Sequence, residues 1–176
     1  IMNLDEQIQA LIDGAPDVES RMSVMAIAPI LQQVAATLPH LEYYICQSPQ
    51  GEWAITTLRH RQQLNLEIKV IYAFTKIQDI SVVDREALNL GIAVKMPIVQ
   101  LLFDLLACPE IDRIVFFNDS QHLVGTAALL AQPLPQQKEH LGQEISRQDL
   151  ENSIVMELQQ RATPAQQTSS LPPDVC

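Results

Sequence analysis

The sequence predicts a mixed α/β domain over residues 17–131, with helices packed on a sheet of about five strands. Three observations lead there. The stretch Ile68–Asn118 holds three short apolar runs separated by two helical patterns, a βαβαβ-like order. Two further runs precede it, LEYYICQ at 41–47 and WAITTL at 53–58, rich in aromatic and β-branched residues. Amphipathic helical patterns flank the unit on both sides.

Bulk composition narrows the function classes. The 176 residues are 47% hydrophobic, enough for a real core. With 11 Lys+Arg against 21 Asp+Glu, the formal charge is −10, which argues against a broad nucleic-acid or anionic-membrane footprint. No apolar run approaches the ~18 residues that span a bilayer. The start, IMNLDEQIQAL, lacks the basic and long apolar regions of a signal peptide. Cys46, Cys108 and Cys176 are far apart and form no CxxC, so a reducing cytoplasm is expected.

Taken in order, Leu4, Ile8, Leu11 and Ile12 line one face of a first helix over residues 1–16. Asn3 and Glu6 have capping-box spacing, and Asp13-Gly14-Ala15-Pro16 ends the helix. A second helical pattern runs from Ser20 to Leu38, with Met22, Met25, Ala26, Ile30, Val34 and Leu38 on or near one stripe. Pro29 inside it predicts a kink or a fresh start. Ser48-Pro49-Gln50-Gly51 is turn chemistry, so 41–47 and 53–58 are expected to pair as a hairpin.

Ile68–Phe74 becomes continuously apolar, as a central strand covered on both faces would. Thr75 is placed to cap a short helix carrying Ile77 and Ile80. Leu90–Met96 fits a strand, and Pro97 suits the first turn of the helix lined by Ile98, Leu101, Leu102, Leu105 and Leu106. Arg113–Asn118 reads as a buried strand. A further helix is expected over 123–130. Residues 132–176 read as a Gln/Pro-rich linker, an amphipathic helix over 146–160 carrying Leu150, Ile154 and Leu158, and a mobile tail.

Motifs for chemistry are sparse. The five glycines form neither GxGxxG nor a Walker loop, so backbone amides are not cleared to approach a phosphate. His40, His60, His122 and His140 are scattered, without a second His or Cys at i+3 or i+4. Cys46 and Cys108 sit in apolar surroundings, where a thiol behaves as a small hydrophobe. There is no Gly-x-Ser-x-Gly elbow. Glu110 and Asp112 flank a strand start, where solvated loop carboxylates are the plain reading. Neither a cofactor nor a metal is expected, and no catalytic residue is assigned.

Two surfaces remain as candidates for a protein partner or self-association. Arg59-His60-Arg61 is the densest positive spot on an acidic chain. Trp53 lies on the same expected hairpin, and Trp and Arg are favoured interface anchors. The plain alternative is a hairpin-end loop beside a core Trp. The Leu150/Ile154/Leu158 face is the second candidate, and its alternative is docking on its own domain. A competing reading is a small-ligand site or enzyme with a pocket at strand ends near Thr75, Asn118 and Asp119, where open α/β sheets bind ligands. A third is an assembly or chaperone-like factor whose acidic surface meets a basic client.

The central unit resembles the SseB-type domain, a small bacterial α/β family. The residues that carry the likeness are LEYYICQ…WAITTL, the strand end Ala73-Phe74-Thr75, the Pro97-led helix IVQLLFDLL and the closing IVFFND, about 41–120 in all. The abundant glutamine is similar in style to cyanobacterial proteins. The resemblance implies a mixed α/β fold and a protein-contact role, and it carries over no catalytic residue.

Overall fold

The computed structural model describes residues 1–59, 65–83, 91–119 and 142–168. They form a mixed six-stranded sheet with helices packed on it, an α/β architecture. The strands are β1 (Glu42–Gln47), β2 (Thr56–Arg59), β3 (Glu67–Phe74), β4 (Ile92–Pro97), β5 (Arg113–Phe117) and β6 (Gln143–Ser146). The helices are α1 (Leu4–Asp13), α2 (Val18–Ala36), α3 (Ile77–Val83), α4 (Ile98–Ala107) and α5 (Arg147–Thr168).

The strand order is β4-β1-β3-β5-β6, and β2 also pairs with β3. β3 and β5 run parallel, with Val70 opposite Arg113 and Phe74 opposite Phe117. β1 is antiparallel to both β3 and β4, so β4 runs in the same direction as β3 and β5. The βαβαβ order is therefore present, but β1 is wedged between β4 and β3. The eight-residue β3 carries β2 along its first half and β1 at its end, both on the edge opposite β5.

That arrangement corrects the expected hairpin between 41–47 and 53–58. Those segments touch at one bridge, Gln47 to Trp53, with Ala54 N–H donating to the Cys46 carbonyl at 2.9 Å. The returning segment then leaves β1 and forms its ladder on β3 instead, Thr56 opposite Val70. The turn holds because Gly51 adopts φ 86°, which a side chain would disfavour.

Alternation in the central strands separates two cores. Tyr43, Ile45, Ile71, Ala73, Ile114 and Phe116 point to one face, where α1, α2, α4 and α5 cover them. Cys46, Val70, Tyr72, Phe74, Val115 and Phe117 point to the other, with Ile80 of α3. On that second face Phe117 stacks with both Tyr72 and Phe74, centroids 5.6 and 5.3 Å apart.

The first core extends past residue 131. Gly142 leads into β6, which pairs with β5, Ile114 opposite Ile145. A Cβ at Gly142 would stand 2.7 Å from Val115 Cγ1 and 2.9 Å from the Phe116 carbonyl, so the approach requires glycine. α5 then returns to the helical layer, burying Leu150. It continues to Thr168, into the segment expected as a mobile tail. Arg161 helps anchor it, pairing with Glu157 and donating to the Ala26 carbonyl at 3.3 Å. The expected helix over 123–130 lies outside the described residues.

The N-terminal helix belongs to the same core. Asn3 and Glu6 form the predicted capping box, each side chain accepting the other's backbone N–H at 2.9 Å. One turn on, Gln7 is only 3% exposed. Its Nε2 donates to the Leu41 carbonyl at 2.9 Å and the Met2 carbonyl at 3.1 Å, and its Oε1 accepts from Val99 N–H at 3.1 Å. α4 begins after Pro97, which offers no capping side chain. Gln7 therefore caps α4 from a different helix. Gln7→Leu should leave the Val99 N–H buried without a partner and cost about 1–3 kcal/mol of unfolding free energy, measured by urea denaturation.

Candidate functional site

Open α/β sheets bind ligands at the carboxyl ends of their parallel strands, which here are β3, β4 and β5. Asn118 follows β5 and sits amid polar groups from α2, β1 and β6. Tyr43 Oη donates to Asn118 Oδ1 at 2.6 Å, and Asn118 Nδ2 donates to Gln143 Oε1 at 3.2 Å. Gln143 Nε2 reaches the Thr37 carbonyl and hydroxyl at 3.4 Å. The His40 ring lies 3.3 Å from the Asn118 carbonyl and edge-on to Tyr43. Burial pushes the Tyr43 phenol up to about 12, opposed by a backbone hydrogen bond from His40.

These groups converge on one another. Their geometry ties the end of α2 to the ends of β5 and β6, leaving the Asn118 side chain engaged on both atoms. Thr75 is half-buried just before α3, and Asp119 is exposed beyond β5. Among the described residues no three His, Cys, Asp or Glu side chains group to hold a metal ion. No described helix is long and apolar enough to cross a membrane.

The two expected partner surfaces are placed differently. Trp53 is half-buried and packs against the helix-side core. Arg59 ends β2 opposite Glu67, and Arg61 lies outside the described residues. Leu150 is 2% exposed and Ile154 packs against the same core, so this face of α5 is occupied by its own domain. Leu158 is 45% exposed and lies at the margin of that contact.

A surface that the sequence pattern hid is the outer side of α2. Met22 and Met25 are expected on the core stripe, yet they are 67% and 55% exposed, and Val18 is 70% exposed. The core instead takes Val24, Ala28, Leu31 and Ala35, with Ile30 beside them. Both sets have helical spacing, since Val18, Met22 and Met25 also fall at i, i+4, i+7. The helix is apolar on opposite sides, a pattern that normally belongs to a helix covered all round. The sequence signal was there in VESRMSVMAIAPIL, but apolar spacing alone cannot say which stripe faces inward.

On the inner side of the same helix, away from this ridge, lies a cleft of about 560 Å³ between α2, the α1–α2 turn and α4. Leu11, Val24, Ile27 and Phe103 supply apolar wall, with Glu19 and Gln100 among its polar lining. Gln100 Nε2 donates to Asp104 at 2.7 Å. Partial burial raises the Asp104 carboxyl above its ordinary value, and the Gln100 bond opposes that shift. Asp17 caps α2 through Ser20 N–H, which holds its exposed carboxyl below the ordinary value. Ridge and cleft share the first turns of α2.

No family model matches the chain, and no curated protein or solved structure matches it either.

Two measurements check these placements. Leu150→Ala should destabilise the domain by about 2–5 kcal/mol in urea, since it opens a cavity under α5; a surface residue would cost little. Tyr43 should resist ionisation until about pH 12, read from phenolate absorbance. Its folded pKa is raised, so its contribution is intact below the unfolded value of about 10. That contribution should be lost as the pH rises from there through about 12.

Proposed function

We propose that this domain is a protein-binding module that takes an apolar partner segment on the outer face of α2. The observation that carries this reading is the Val18/Met22/Met25 ridge, apolar, aligned and more than half exposed at each position. Methionine is a favoured residue on such surfaces because its flexible, polarisable side chain adapts to a partner.

The partner's character follows from the surroundings. Val18 to Met25 spans roughly 10 Å of helix, a fit for two turns of an amphipathic helix. Glu19 lines the cleft, and Asp13 and Asp17 flank the connecting turn. A partner with basic flanks is therefore favoured electrostatically, and association should weaken with salt. The likeness to SseB-type domains, with its implied contact role, supports the same reading.

The test compares wild type with the double variant Met22→Glu/Met25→Glu as bait in the native extract. The double variant should lose the captured partner while its unfolding free energy stays within about 0.5 kcal/mol of wild type, because both side chains are largely in water. Undiminished capture by a folded double variant would reject the α2 face.

A further inference from the structure

Among the described residues β4 is an edge strand of the sheet, and its ladder with β1 fixes the direction of its backbone groups. Ile98 N–H donates to the Leu41 carbonyl at 2.9 Å. The same ladder places Tyr43 opposite Met96, Ile45 opposite Val94 and Gln47 opposite Ile92. Bonded and unbonded pairs alternate along an antiparallel ladder. Ile92, Val94 and Met96 therefore bond to β1, and Ala93 and Lys95 turn their N–H and C=O groups outward. The Cys46 carbonyl, opposite Ala93, agrees with this phase, since it accepts from Ala54 on the far side of β1.

We propose that two copies of this chain pair antiparallel through β4 about a two-fold axis at Val94, making one continuous sheet. This inference stands apart from the α2 reading and uses a different surface. In this register Ala93 of each copy faces Lys95 of the other, and each pair exchanges both N–H···O bonds. Among the described residues no hydrogen bond is made to those outward amides.

Side chains fit the same axis. Residues opposite one another across a ladder share a face. Val94 would meet its own copy, and Ile92, 55% exposed, would meet the half-buried Met96 of the other copy. These pairs lie on the face where Met96 already packs against the core.

Charge selects the register. A charge of −10 repels two copies in general, so the contact must be locally neutral. Lys95 is already neutralised, 2.9 Å from Glu42 and 5.7 Å from the centre of the Tyr44 ring. A lysine on an edge strand commonly blocks pairing by projecting outward. Here the side chain folds back onto β1. Pairing about Val94 sets Lys95 against Ala93, whereas an axis at Lys95 would set two lysines face to face.

Sedimentation velocity over a dilution series of the full chain tests the proposal, with Ala93→Pro and Ile92→Glu as variants. Ala93→Pro deletes an outward donor that the monomer's own ladder does not use, a position where an edge strand accepts proline. Ile92→Glu places a carboxylate against Met96 of the other copy while altering a side chain that is mostly in water. Wild type should dimerise and dissociate on dilution, and each variant should raise the dimer Kd at least about tenfold with unchanged far-UV circular dichroism. If Ala93→Pro disturbs folding, Ile92→Glu decides. A wild type that is monomeric throughout the series, or a dimer that survives Ile92→Glu, would overturn the proposal.

Discussion

The Gln7 side-chain amide satisfies three backbone groups from three places: Met2 ahead of α1, Leu41 at the start of β1, and Val99 in the first turn of α4. Pro97 creates the need. It ends β4, and it offers no side chain to the helix that follows. The first N–H groups of any helix want acceptors, and in a buried setting the cost of refusing them is high. Gln7 supplies one from α1, and so fixes α1 against α4. The turn after α1 then has to pass beside Gln100 and Phe103, and this passage shapes the cleft. A helix that the sequence places outside the domain is thereby built into it.

Where the polar groups go also separates the functional readings. At the end of β5 the tyrosine, asparagine and glutamine side chains engage one another, and their geometry is that of a clasp between α2, β5 and β6. On α5 the apolar stripe is spent on the domain's own core through Leu150 and Ile154. On α2 the opposite holds. Its inner stripe is consumed by the core, and its outer stripe stands in water. The exposed apolar ridge therefore lies on the helical covering and not at the ends of the sheet.

The sequence was informative wherever a local rule decided the structure. Asn3 and Glu6 announce a helix start because the capping box is complete within four residues. IKVIYAF and RIVFF announce buried strands because they stay apolar on both sides. It was uninformative where a distant partner decided. WAITTL reads as a strand, but nothing within it says that β3 rather than β1 takes its ladder. QEIS is too short and polar to stand out, and its place on β5 rests on the missing side chain at Gly142. α2 carries two apolar stripes, and packing against α1 and α4 selects between them. Gln7 resembles any other glutamine in a glutamine-rich chain until its three backbone partners are seen.

Methionine oxidation separates the α2 and α5 surfaces in one experiment. Met22, Met25 and Met156 are 67%, 55% and 59% exposed, so peroxide should oxidise all three in the isolated protein. The measurement is the extent of oxidation at each, by peptide mass spectrometry, in the free protein and in its native complex. The complex should shield Met22 and Met25 and leave Met156 reactive. Shielding of Met156 with Met22 and Met25 still oxidised would move the partner from α2 to α5.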